Sequence, residues 1–373
     1  MDEDTIFVGL DVHSASISVA IAEPGRGEVR TLGMIPNTSD AVVKLIKRLG
    51  PAPRLSFCYE AGPCGYGLHR HLTRLGAACM VVAPSLVPQK PGERIKTDRR
   101  DALNLARALR RGDLTAVWVP DEAHEALRDL SRTRSDARID LLRHRNQLSK
   151  FLLRQTILPT KRLRRWGKMH RAWLQTLHLP HASHQVVLQD YLQTVEHAEN
   201  RLANLEAELA LAADQSPLAP LIAALQAFRG IALTTAIILV AELGDLRRFP
   251  SPRHLMGYTG LVSTEDSSGD RRHRGQITKT GNAYVRHVLV EAAWQYTRPP
   301  KVWGALKKRQ LGLPPATLAI SWKAQQRLYR RFRRLTHRGK LRHVAVVAIA
   351  RELAGFLWAA ARAVPVPVQK VAA

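Results

Sequence analysis

Two apolar runs near the start of this chain each end on a carboxylate. Ile6, Phe7, Val8, Gly9 and Leu10 lead into Asp11, and Leu55, Ser56, Phe57, Cys58 and Tyr59 lead into Glu60. Short apolar runs of this kind read as buried strands, so the first 120 residues must hold a sheet. Residues 16–22 alternate apolar with small polar side chains in the period of two that a strand requires, and 28–35, reached through Pro24 and Gly25, reads as a third strand. Helical patterns at 41–49 and 66–75 then alternate with strands at 55–60 and 78–82, and Asp98 and Asp101 open a further helix.

Three strands followed by helix, strand, helix, strand, helix is the layout of a ribonuclease H-like sheet, although an actin-like ATPase domain begins the same way. After residue 120 the pattern changes to long charged helices. Leu127, Leu130, Ala137, Leu141, Leu148 and Phe151 fall on heptad a and d positions, with Arg134 and His144 in two gaps. Leu188, Val195, Ala198, Leu202, Leu205 and Leu209 repeat the pattern, and a basic, Pro-containing stretch at 159–180 joins the two. An antiparallel coiled-coil arm and a pair of ordinary amphipathic helices packed on a neighbour both fit. Residues 216–373 read as a third, mainly helical region, with an apolar helix at 233–243, a polar loop at 263–280, a helix at 282–296 and a frayed tail at 365–373. The expected class is α/β plus α, divided as 1–120, 121–215 and 216–373.

Charge narrows the partners. Lys plus Arg number 57 against 31 Asp plus Glu, a formal net charge of +26, which points to a polyanion and first of all to nucleic acid. From Arg271 onward the only acids are Glu291 and Glu352. Cys58, Cys64 and Cys79 have no paired spacing, so neither a disulfide framework nor a zinc site is indicated and a cytoplasmic setting is expected. The acidic start lacks the basic region of a secretion signal, and apolar stretches such as 344–350 are interrupted by charges before membrane-spanning length.

Within so basic a chain, Asp11, Glu60, Asp98 and Asp101 stand out. Carboxylates at two strand ends and a helix start can converge, and hard divalent cations such as Mg or Mn take oxygen ligands in the service of phosphoryl transfer. Asp98 and Asp101 also fit a capping arrangement, with Asp98 as N-cap and Asp101 three residues on. A second group runs from Gly260 through Ser263, Ser267, Ser268 and Gly269 to Arg271, Arg272, Arg274, Lys279, Gly281 and Asn282. A serine hydroxyl needs activation or transition-state stabilisation to attack phosphorus, and nearby Arg and Lys supply the latter. The same residues also suit an ordinary polar loop. Gly230 before a short apolar helix resembles half of a helix-hairpin-helix, or simply a core helix start. Arg330, Arg331, Arg333 and Arg334 add a basic helix, whose Trp322, Tyr329 and Phe332 either stack on unpaired bases or form its buried stripe.

Four motifs, in order, carry a family resemblance: Gly9-Leu10-Asp11-Val12-His13, Tyr59-Glu60-Ala61-Gly62, Lys96 to Ala102, and Gly260 through Ser268-Gly269 to Asn282. They resemble the IS110 insertion-sequence transposases of the DEDD type, related to the Piv invertases. The resemblance implies an N-terminal RuvC-like domain, a coiled-coil connector and a C-terminal transposase domain. It further implies that Asp11, Glu60, Asp98 and Asp101 hold Mg or Mn, as two ions, and that Ser268, with Ser267 as the alternative, is the nucleophile. Donor and target DNA, a structured guide RNA and further copies of the chain are the implied partners, with no membrane. On this reading the protein is a recombinase whose phosphoserine linkage needs no outside energy source. A metal-dependent junction nuclease would need only the four acids, and a non-catalytic nucleic-acid binder would need neither set. A sugar-kinase-like phosphotransferase lacks its second phosphate-binding glycine motif here.

Overall fold

The computed structural model describes residues 4–25, 27–88, 97–159, 163–268 and 271–364, without the side chains of Arg272 and Arg274. The chain forms two compact units, Met1–Val119 and Pro120–Ala373.

The first unit is a five-stranded sheet of order β3-β2-β1-β4-β5, built from β1 (Ile6–Val12), β2 (Ser16–Ala22), β3 (Arg30–Pro36), β4 (Leu55–Glu60) and β5 (Ala78–Val82). β1 pairs antiparallel with β2 and parallel with β4, and β4 pairs parallel with β5. Helices α1 (Ser39–Leu49) and α2 (Gly67–Arg74) cover one face, where Val8, Leu10, Ile17, Phe57 and Tyr59 meet Val42, Leu45 and Leu72. Helix α3 (Asp98–Arg111) covers the other, against Phe7, Ala20, Cys58 and Val82. Burial on both faces explains why β1 and β4 are apolar without alternation. The third strand starts two residues later than its sequence pattern suggests and forms an exposed edge.

Gly9 sets how close α3 comes. A Cβ there would fall on the Ala102 carbonyl oxygen and the Ala106 amide nitrogen, so the helix rides directly on the β1 backbone. Gly9→Ala is expected to lower stability by about 1–3 kcal/mol, the usual cost of overpacking. Thermal denaturation measures it, and an unchanged Tm would contradict the close approach.

In the second unit α4 (Glu122–Arg154) and α6 (Ala182–Gln215) run antiparallel, paired through Arg134 with Glu206, Arg201 with Asp140 at 3.0 Å, and Arg145 with Glu199 at 2.6 Å. At the far end α5 (Lys168–Gln175) closes a small core of Leu148, Phe151, Leu174 and Leu188, and its Arg171 joins Arg145 on Glu199. At the near end Leu127, Leu209 and Ala213 enter the large core of a helical body. The two helices thus pair with each other and pack at one end on the helical body. The body comprises α7 (Ala219–Leu225), α8 (Leu233–Leu243), α9 (Pro252–Tyr258), α10 (Ala283–Ala293), α11 (Gly304–Arg309), α12 (Pro315–His337) and α13 (Arg342–Ala363). Among the described residues α13 alone is long and apolar enough to cross a membrane; here its Val346, Ile349, Leu353 and Leu357 are core residues.

Residues 263–280 are not the loop their composition suggests. β6 (Ser263–Ser268) and β7 (Arg271–Ile277) form an antiparallel hairpin, with Glu265 in register with Arg274 and Asp266 with His273. β6 is exposed along most of its length and carries no apolar period of two. The tail at 365–373 lies outside the described residues.

Candidate active site

Asp11 and Asp98 come together where β1 ends and α3 begins. Leu10 and Tyr59 are partners in the parallel β1–β4 ladder, so Asp11 and Glu60 are the next positions on adjoining strands. Phe7 and Cys58 point to the α3 face, and the period of two along a strand places Asp11 and Glu60 on that same face. The helix begins there. Its N-cap is Thr97, whose hydroxyl accepts from the Arg100 amide, so Asp98 is not the cap that its spacing to Asp101 suggests. Both carboxylates instead occupy the first turn, where the helix dipole favours negative charge.

Asp11, His13 and Asp98 bring one ligand atom each within 4.8 Å of one another. The His13 imidazole lies between the carboxylates, its Nε2 3.3 Å from Asp11 and 3.5 Å from Asp98. Burial raises the Asp11 pKa above its ordinary value; His13 pulls it down, and the charges of Asp98 and Asp101 push it up again. Glu60 and Asp101 are not in the closest group, although Asp101 acts on Asp11 through its charge. His13 is the residue that sequence reading missed. Its signal was its place two residues after Asp11; in the fold its backbone amide donates to the Ser16 carbonyl and its carbonyl accepts from the Asn37 side chain. A divalent cation fits this donor set, because it would relieve a half-buried carboxylate surrounded by like charge.

The serine hairpin stands on a rigid base. Gly260 and Gly281 both have left-handed backbone, φ 65° and 72°, and Cβ atoms would strike Thr280 and Tyr258 respectively. Lys279, also left-handed at φ 55°, donates its amide to the Gly260 carbonyl, and the Thr278 amide meets Val262. The following residue, Asn282, accepts from the Val285 amide as the N-cap of α10 and donates to Glu242 at 2.5 Å. Glu242 is 3% exposed and takes two hydrogen bonds from Arg132, at 2.7 and 2.9 Å. One helix turn and two turns earlier, Arg128 and His124 donate to the Ala241 carbonyl. The base of the hairpin, α8 and α4 thus share one buried carboxylate. Arg132→Ala strands that charge, and denaturant unfolding is expected to show a loss of about 3 kcal/mol, well above that of Glu242→Gln. Equal losses would refute the network.

On the hairpin Ser267 donates to Glu265 at 3.2 Å, and Ser268, exposed, is in register with Arg271. Gly269 and the side chains of Arg272 and Arg274 lie outside the described residues, as does Lys96. On α12, Arg330, Arg333 and Arg334 are exposed, whereas Arg331 is held by Glu352, which also takes Arg327 at 2.9 Å. Phe332 is buried, Tyr329 half-buried and Trp322 exposed, so the aromatic set is a core stripe only in part. Gly230 turns the chain at φ 83° and packs on Ala292, and the helix after it has no side-chain cap.

Comparison with known proteins places both of these regions in one family. Residues 8–157, which include all four acids, match the DEDD transposase model of the IS110 group, and residues 222–306, which include the serine hairpin, match the model described as Transposase IS116/IS110/IS902 family. The protein y4qE of Sinorhizobium fredii, named for a transposase, is 46% identical over 95% of this chain and 88% of its own length. The transposase for insertion sequence element IS1533 of Leptospira borgpetersenii is 33% identical over 90% of this chain and 98% of its own. With relatives of that likeness along nearly the whole chain, it belongs to the IS110 family of transposases, enzymes that act on DNA.

Proposed function

We propose that this transposase cuts and rejoins DNA strands through Ser268, with Asp11, Glu60, Asp98 and Asp101 holding Mg or Mn in a RuvC-like, ribonuclease H-like first domain. The observation that carries the reading is the meeting of Asp11 and Asp98 around His13 at the end of the sheet. The sheet order and the register that sets Glu60 beside Asp11 support it further.

The bound ions would supply charge stabilisation at the phosphoryl oxygens. Asp11 and Asp98 would hold them, Gly9 letting α3 pack close on β1. In the transfer step the Ser268 Oγ–phosphorus bond forms as the bond from phosphorus to the leaving sugar oxygen breaks; the hydroxyl proton is lost and the leaving oxygen gains one. Reversal rejoins the strand without external energy, since one phosphodiester replaces another. Arg271, Arg272, Arg274 and Lys279 follow the serine closely in sequence and are the cations to offset charge on the phosphoryl group.

A guide RNA that pairs with donor and target DNA, and a homo-oligomer in which one protomer's acids serve another's serine, complete the proposal, in a bacterial cytoplasm and on the nucleoid. The basic C-terminal region suits these polyanions, and its binding should weaken steeply with salt as counterions are released. The test is the product of strand cleavage. A recombinase of this kind leaves protein attached to a DNA end under denaturing conditions, whereas a junction nuclease leaves free ends.

A further inference from the structure

The basic segment after α10 holds a cleft unrelated to either the acids or the serine. Arg298, Pro299, Pro300, Lys301, Trp303 and Arg309 line it around a volume of about 480 Å³. None of the residues lining it is acidic. Its walls are fixed. Arg229 donates to the carbonyls of Arg298 and Pro299, at 3.3 and 2.8 Å, and Arg309 donates to the Gln226 carbonyl at 3.2 Å. The Lys301 amide is tied to Gln325 at 3.1 Å, and Gln310 and Ser321 both donate to the Ala227 carbonyl.

Against this scaffold Trp303 is 66% exposed, with the Lys301 ammonium 5.4 Å from its ring. A large indole is thus left mostly in water beside a concave surface. Its flat face offers stacking to any base, and the surrounding cations offer ion pairing to the phosphates on either side. The volume is that of a small-ligand site and suits one nucleotide. We propose that this cleft binds an unpaired nucleotide of a single strand, its base stacked on Trp303 and its phosphates against Arg298 and Lys301. DNA and RNA strands share this chemistry.

The full-length protein can be titrated at raised salt with fluorescent oligo(dT), oligo(U) and a duplex of equal length, alongside Trp303→Ala and Trp303→Phe. Trp303→Ala is expected to weaken single-strand binding about 5- to 150-fold, as loss of one stacked base does, and to leave duplex binding within about twofold. Trp303→Phe restores most of the affinity. The oligonucleotide with the larger loss identifies the strand the cleft serves. Photocrosslinking of thio-substituted oligonucleotides should label the peptide containing Trp303. Three results would overturn the site: unchanged single-strand affinity in Trp303→Ala, an equal fall for duplex and single strand, or a poly(Glu) peptide whose binding alone depends on Trp303.

Discussion

Ser268→Ala is expected to abolish covalent attachment of the protein to DNA and all strand exchange, while DNA binding is retained. Loss of a nucleophile removes the step itself, so the fall should be on the order of 10⁴-fold or more. Ser267→Ala serves as the comparison. The Ser267 hydroxyl is engaged with Glu265, and its loss should lower exchange by less than about tenfold through looser positioning of the hairpin. Both side chains lie on an exposed strand, so neither variant threatens the fold. Adduct formation on a denaturing gel reads the effect. A Ser268→Ala protein that still attaches to DNA would transfer the role to another residue.

Asp11→Asn carries the second large effect, and its signature is a split between activity and stability. Strand cleavage should fall about 10²- to 10⁴-fold, the several kcal/mol that a bound metal contributes to phosphoryl transfer. Manganese binding, followed by calorimetry, should weaken in parallel. Stability should not suffer. An acid whose pKa is raised by folding destabilises the native state at pH values where it is ionised, so removing its charge leaves the metal-free protein as stable or more so. The same sign governs pH. Metal uptake must displace the Asp11 proton, so apparent affinity falls on acidification, beginning above the ordinary carboxylate range of about 3.9. If protomers share the site, mixing Asp11→Asn with Ser268→Ala should recover exchange that neither variant has alone.

The sequence made some of this architecture plain. The strands at 55–60 and 78–82 and the helix at 233–243 coincide with β4, β5 and α8, because each is an apolar run bounded by a clear change of composition. The hairpin was hidden because both strands are polar, and its pairing depends on register. Glu242 was hidden inside an apolar run; only the fold brings Arg132 and Asn282 to it. Likewise the role of Gly9 depends on where α3 lands, and that of His13 on Asp98, 85 positions away along the chain. That Asp98 stands in the first turn rather than at the cap turned on one hydroxyl, that of Thr97. Trp303 gave no periodic signal, since it lies in a Pro-rich connection just before the short helix α11.

The proposed strand transfer passes through a serine–phosphate bond. Proteolysis of the protein–DNA adduct followed by mass spectrometry should find the nucleotide on the peptide containing Ser268, linked through its hydroxyl. Cleaved DNA with free ends and no peptide attached, or a nucleotide on a different residue, would contradict it.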